Sequence, residues 1–244
     1  FEKRFTRTKS ISGDFYKYNI ESDAKAIRAI LTSLRSNKDL AEVLSTDDRD
    51  TILNYISPLY NELNHDYNIT HFYFTGLDRV NLVRAHAPER YGDTINRITT
   101  INAQNSLKVS HGVELGKLGT LTLRVVSPWY SNNGEHIGYL ELGMEIDHII
   151  DRLQNILGFE VDLFIHKEYL KEDTWKNGMK VLGRNIKWDQ FKNLVATKQI
   201  VTPSFHSFIE QRDNRNEPFS GSIQPFESQE GKYWLLSVPI YDVQ

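Results

Sequence analysis

A chain of 244 residues is long enough for one large domain or two small ones, and either could bury a sizeable core. Its 29 Lys and Arg against 32 Asp and Glu leave a formal charge of -3 with no polybasic run, which argues against nucleic acid or a polybasic membrane-binding surface. Cysteine is absent, which excludes disulfides, thiolate metal sites and a cysteine nucleophile, and the longest apolar runs fall far short of the roughly 20 residues that cross a bilayer.

Apolar or small residues recur at Ile11, Phe15, Tyr18, Ser22, Ala26, Ile30 and Leu34, which predicts one helix over about residues 1–35. At 1.5 Å per residue it would be roughly 50 Å long, so residues 1–45 are expected to form a stalk. For the part after Asp23, an amphipathic helix lying on a sheet is an equal reading. Ser45, Thr46, Asp47 and Asp48 offer N-caps to a second helix carrying Ile52, Leu53, Ile56, Leu59, Tyr60 and Leu63, which Pro58 is expected to kink or divide. Strand patterns follow at 69–75, 80–86, 112–115, 121–126 and 137–143, with a helix expected over 93–107 capped by Asp93 or Thr94. Residues 131–135, S-N-N-G-E, read as a hairpin turn, and the strands as one mainly antiparallel sheet. A helix over 147–157 should end at Gly158.

After Gly158 a smaller version of the pattern begins, with strands at 161–165, 220–226 and 233–241 and a helix at 187–195. V-V-S-P-W-Y-S (125–131) aligns with L-S-V-P-I-Y-D (236–242), pairing Pro128 with Pro239 and Tyr130 with Tyr241, and Gly112 and Gly221 lie similar distances upstream. This favours duplication, hence two related α+β domains, 46–150 and 151–244. The first Pro-x-Tyr strand leads into I-G-Y-L-E-L-G, whereas the second meets the end of the chain at Gln244, so a further strand is expected beyond it.

The run F-Y-F-T-G-L-D-R-V-N-L-V-R-A-H-A-P-E-R-Y-G-D, then H-G-V-E-L-G-K-L-G, L-R-V-V-S-P-W-Y and I-G-Y-L-E-L-G, resembles the membrane-distal half of double Cache (PAS-like) sensor domains of bacterial histidine kinases, diguanylate cyclases and chemoreceptors. The resemblance implies a long N-terminal helix followed by two Cache domains, each an antiparallel sheet flanked by helices. It also implies a periplasmic sensor between two transmembrane helices outside this chain, with its ligand in the distal pocket, a parallel homodimer through the N-terminal helix, and a cytoplasmic output.

The residues of V-N-L-V-R-A-H-A-P-E-R-Y-G-D-T-I-N-R (80–97) suggest what such a pocket holds. Val80 and Leu82 alternate as a half-buried strand should, yet the next positions on their face are Arg84 and His86. Tyr91, Asp93 and Arg97 follow and are expected to fold back over that face, while Glu114, Arg124 and Glu141 each interrupt an apolar segment elsewhere. Guanidinium groups suit a carboxylate, the acids suit an ammonium, and His86 adds a titratable donor, so an organic acid or amino acid is the expected ligand. Internal pairing is the competing reading; it is preferred for Glu114, Arg124 and Glu141, with Glu114 and Arg124 as a cross-strand pair, while the pocket is preferred for Arg84 and His86.

Catalysis finds little support. His65, Asp66 and His71 lack metal-site spacing and are expected to be solvated; no metal or cofactor is expected, and no hydrolase elbow or kinase signature occurs. An extracytoplasmic hydrolase and a partner-binding ectodomain without a small ligand remain the alternatives.

Overall fold

The structure, a computed structural model, describes residues 2–46, 48–158, 161–198, 203–215, 223–228 and 231–236. The chain forms two compact units. Among the described residues, one comprises Asn19–Glu114 and Thr122–Ile146; the other comprises Leu115–Leu121 and those from Asp147 to Leu236, together with the helical residues before Asn19.

The first unit is built on a five-stranded sheet in the order β2-β1-β5-β4-β3, with β1 His71–Thr75, β2 Asn81–Arg84, β3 Ser110–Leu115, β4 Leu121–Tyr130 and β5 His136–Glu145. The pairs β1–β2, β1–β5 and β4–β5 are antiparallel. Cross-strand partners share a face, so the register sorts the side chains into two sets. Phe72 opposes Leu142, which opposes Val125, and Phe74 opposes both Val83 and Leu140. These six side chains are apolar and fully buried. On the other face Tyr73 opposes both Arg84 and Glu141, His71 opposes Gly143, and Gly143 opposes Arg124. Gly134 turns the β4–β5 hairpin at φ 83, where Ser131 donates its N–H to the Glu135 carbonyl, as the Asn-Asn-Gly sequence predicts.

Four helices complete this unit: α1 Glu2–Arg35 from Asn19 on, α2 Lys38–Leu44, α3 Arg49–Tyr67 and α4 Ile98–Ser106. The buried line of α1 is Ala24, Ile27, Leu31 and Leu34, which shares only Leu34 with the expected stripe; Tyr18 is 73% exposed, and Ser22 and Ala26 face solvent. Both lines have steps of three and four; from Asn19 on, the buried one carries three branched aliphatics, Ile27, Leu31 and Leu34, and the expected one only Ile30 and Leu34. Asp48 caps α3, accepting from the Asp50 N–H at 3.3 Å. Pro58 does not divide this helix, which runs unbroken with Ile52, Ile56 and Leu63 buried on both sides of it. Packing there outweighs the loss of one backbone donor.

The second unit holds α5 Asp147–Leu157, β6 Phe164–His166, α6 Glu172–Val181, β7 Leu194–Ala196, α7 Pro203–Asn214, β8 Ile223–Ser228 and β9 Gly231–Leu236. Helix α5 has the predicted bounds and stops at Gly158, whose φ is 69 and whose N–H donates to the Gln154 carbonyl. β6 pairs with β7 and β8 with β9, both antiparallel. The expected helix over 187–195 is instead a 3-10 turn, Trp188–Gln190, followed by β7. Leu194 and Ala196 enter one core cluster with Phe191 and Ile209, while Val195 enters another with Ile165, Trp175 and Met179. Alternation of period two serves two cores, which a helix at that position could not do. Helices α6 and α7 were not expected from sequence. Pro239, Tyr241 and Gly221, on which the proposed repeat rests, lie outside the described residues, as does the strand expected after them.

The tip of the β3–β4 hairpin, Leu115–Leu121, is packed into this second unit. A Cβ on Gly178 of α6 would stand 2.7 Å from both the Leu118 Cβ and its carbonyl oxygen, and one on Gly119 would stand 2.7 Å from the Trp175 indole nitrogen. Both contacts require the absence of a side chain.

Candidate functional site

On the polar face of the sheet Tyr73 is the hub. The guanidinium carbons of Arg84, Arg97 and Arg124 lie 5.0, 5.1 and 5.8 Å from its ring centroid. Arg97 also donates to the Tyr73 hydroxyl at 3.4 Å. Burial alone would push the phenol pKa up, but Arg97 and Arg124 outweigh it and hold the group below its ordinary value. Helix α4 covers part of this face, with Ala103 packed on Val126 and Tyr139.

Three acids answer the three arginines. Glu141 accepts from Arg124 Nη1 at 2.5 Å and from Arg97 Nη1 at 3.2 Å on the same oxygen, Oε1. Glu114 Oε2 lies 3.6 Å from Arg124 Nε and 3.8 Å from Arg97 Nε. Its other oxygen accepts from the backbone N–H and the hydroxyl of Thr99, both at 2.9 Å. Glu114 thereby caps α4 from a neighbouring strand, because Arg97 at the N-cap position has no oxygen to offer. Burial raises the Glu114 pKa despite the Thr99 bonds and Arg124. Arg97 is held more firmly charged than usual: burial opposes this, and Glu141 and Tyr73 overcome it.

Arg84, 3% exposed, reaches Asp93 with Nη2 at 2.7 Å from Oδ1 and 2.8 Å from Oδ2, and donates through Nη1 to the Arg90 carbonyl at 2.5 Å. It therefore ties down the loop that follows its own strand. The helix expected from Asp93 starts only at Ile98. Residues before it are extended beside β2: Val80 bridges Thr94, Asn81 donates to the Asp93 carbonyl, and Gly92, at φ 80, donates to the Asn81 carbonyl. Pairing with an open strand edge satisfies these backbone groups and displaces the helix start. Tyr91 does not reach the polar face. It is 58% exposed, with the Arg49 guanidinium 4.1 Å above its ring, and Arg49 also donates to the Pro88 carbonyl.

His86 lies just past the end of β2, and its Nδ1 accepts from the Phe72 N–H at 3.3 Å. Its ring is 4.7 Å from that of His71 and 4.9 Å from that of Tyr73. Burial first, then Arg124 and Arg84, bring the His86 pKa down to about 3. His71 is lowered well below its ordinary value by burial and Arg124. His86 is thus a neutral ring at ordinary pH rather than the titratable donor expected, and His71 is a partner within the cluster rather than a solvated histidine. His65 is exposed beside Asp66, as expected. Among the described residues no group of three or more His, Cys, Asp or Glu is placed to hold a metal ion, and no helix is long and apolar enough to cross a membrane.

Sequence reasoning brought Arg84, Asp93, Arg97, Glu114, Arg124, Glu141 and His86 to one face and missed Tyr73 and His71. Their signal was present: Tyr73 and His71 alternate with Phe72 and Phe74 in I-T-H-F-Y-F-T, on the opposite face from the two phenylalanines. Several buried polar atoms of this region make no hydrogen bond, among them Arg84 Nε, Arg124 Nε, Glu114 Oε2, Thr75 Oγ1 and Thr100 Oγ1.

Residues 7–186 match the family described as the double sensory domain of two-component sensor kinases. The chain belongs to this double Cache family. Its long N-terminal helix and antiparallel sheet flanked by helices are those of a Cache sensor, and the family is sensory rather than catalytic. Similar solved structures include the sensor domain of Escherichia coli DcuS, 18% identical over 56% of this chain and 97% of that one, with a TM-score of 0.47. The periplasmic domain of Vibrio cholerae LuxQ is 15% identical over 67% and 75% of the two chains, with a TM-score of 0.45. The sensory domain of the Campylobacter jejuni chemoreceptor Tlp3, solved with isoleucine bound, is 13% identical over 64% and 71%, with a TM-score of 0.38. No curated protein matches the chain.

Proposed function

We propose that this double Cache domain is the extracytoplasmic part of a membrane receptor and that the polar face of its five-stranded sheet binds a small organic acid or amino acid. The observation that supports this is the cluster around Tyr73, where three arginines and three acids meet on one sheet face and the buried Arg84 Nε and Thr100 Oγ1 make no hydrogen bond. Buried polar atoms cost about 1–3 kcal/mol each when unsatisfied, and a ligand that supplies their partners recovers part of that cost. A zwitterion matches the balance of the six charges, its carboxylate replacing an acid on an arginine and its ammonium replacing an arginine on an acid. Ligand then acts only through its difference in affinity for two arrangements of this network. The receptor is a parallel dimer joined through the N-terminal part of α1, with transmembrane helices flanking the chain and a cytoplasmic kinase, cyclase or chemotactic output.

A thermal-shift screen of amino acids, amines and carboxylates tests the reading. One class should raise the melting temperature without being converted, as mass action requires of a ligand that binds only the folded state. Turnover of the compound would favour a hydrolase, and no stabilisation by any class would favour a domain without a small ligand.

A further inference from the structure

The second unit carries a cleft of its own. About 320 Å³ in volume, it lies where the first turn of α5, the turn after α6 and the end of β7 come together, and Asp147, Asp151, Arg184, Lys198, Ile150 and Ile186 are among its lining residues. Four of these side chains are charged, two of each sign. One pair is internally satisfied: Arg184 Nη2 lies 2.5 Å from Asp147 Oδ2, while its Nη1 donates to the Thr197 carbonyl at 3.3 Å. The other two charges are not spent on each other. Lys198 donates to a neutral acceptor, Gln154 Oε1, at 3.1 Å, and the Asp151 carboxylate has no ion-pair partner among the described residues. The walls between them are aliphatic, with Ile150 buried and Ile186 packed against the Trp175 cluster.

We propose that this cleft is a second ligand site, separate from the polar face of the sheet, and that it takes a free aliphatic amino acid. Lys198 receives the carboxylate, Asp151 the ammonium, and Ile150 and Ile186 the side chain. Small-molecule pockets run from about 300 to 1,000 Å³, so this one stands at the small end and fits a ligand of amino-acid size. Opposite charges available within one cleft favour a molecule that carries both over one that carries either, because a lone carboxylate or amine leaves the other protein charge without a partner. The Arg184–Asp147 pair fixes the turn after α6 against α5 and so holds the cleft's shape before ligand arrives.

The test uses the whole chain with its isoleucine methyl groups labelled, and L-leucine as the probe. Both substituted side chains, Lys198→Met and Asp151→Asn, reach solvent, so the variants should fold. L-Leucine is expected to shift the Ile150 and Ile186 methyl resonances; each substitution should weaken the response about tenfold or more, equivalent to about 1.4 kcal/mol. 4-Methylpentanoate, which lacks the ammonium, and isopentylamine, which lacks the carboxylate, should bind more weakly than leucine. Methyl resonances unmoved by leucine overturn the proposal. A response unaffected by both substitutions, or matched by either of the two half-ligands, overturns it as well. Lys198 and Asp151 line the cleft and not the sheet, so a response lost on their substitution belongs to the cleft, whereas one that survives both belongs to ligand bound on the sheet.

Discussion

Glu141 Oε1 lies 2.5 Å from Nη1 of Arg124, and the two residues are 2% and 1% exposed. A charge pair so far from solvent is stable only as a pair. Removing one partner of a buried ion pair typically costs about 3–5 kcal/mol, because the other charge remains without compensation. Glu141→Gln should therefore lower unfolding free energy by about that amount in chemical denaturation. The double variant Glu141→Leu with Arg124→Met should lose clearly less than the sum of the single losses. An additive result would show that the two residues do not act as a pair.

Arg84 offers a sharper division between holding a loop and holding a ligand. Arg84→Ala should weaken ligand binding by about 2–5 kcal/mol in calorimetry, the usual cost of truncating one partner of a buried charge pair. Asp93→Asn separates the causes. If Arg84 serves only to fasten the Arg90 carbonyl and Asp93, both variants lose affinity together. If its guanidinium meets the ligand, Asp93→Asn releases that guanidinium and affinity is kept or improved.

Acid should destabilise the sheet unit through its histidines. His86 has a folded pKa of about 3 against an ordinary value of 6.5. Between those two values the unfolded state binds a proton that the folded state does not, so stability rises with pH across this window and is lost as pH falls from about 6.5 toward 3. Above the window His86 contributes no slope, and His71 acts in the same direction. His86→Asn keeps an acceptor near the Phe72 N–H without a titrating ring. Its unfolding free energy should fall less between pH 7 and pH 4 than that of the parent, and equal slopes would contradict the burial of a neutral imidazole.

Much of this site was legible because charged residues interrupting apolar strands at Arg84, Arg124 and Glu141 have few places to go but a polar face. Register made the rest visible: Tyr73 takes its importance from standing opposite Arg84 on one side and Glu141 on the other, and no local pattern states which strands are neighbours. The start of α4 was misplaced for a related reason. Thr94 and Asp93 are good caps by residue type, but an open edge of β2 competes for their backbone and wins, leaving Glu114 of β3 to cap the helix. In α1 two lines of equal spacing compete, and periodicity alone does not choose between them. The second unit was read less well because its strands have three residues where they pair as β6 and β7, too short to display a period.

The close fit of α6 on the hairpin tip gives a prediction for stability. Gly178→Ala places a methyl carbon within 2.7 Å of the Leu118 Cβ and of a backbone carbonyl, which cannot move aside as a flexible side chain would. Overpacking of this kind costs about 1–3 kcal/mol. Tryptophan fluorescence, with Trp175 in the adjoining cluster, should report the earlier unfolding.

The division of the chain into units has a topological consequence. Among the described residues the backbone passes from one unit to the other between Tyr18 and Asn19, Glu114 and Leu115, Leu121 and Thr122, and Ile146 and Asp147. The units are therefore not beads that one cut separates. A protease nick after Ile146 leaves Leu118 and Gly119 still seated on Trp175 and Gly178, and the two fragments should travel together under native conditions. Residues 19–146 expressed alone would carry that hairpin tip without the Gly178 and Trp175 surfaces it packs on, and should self-associate more readily than the whole chain.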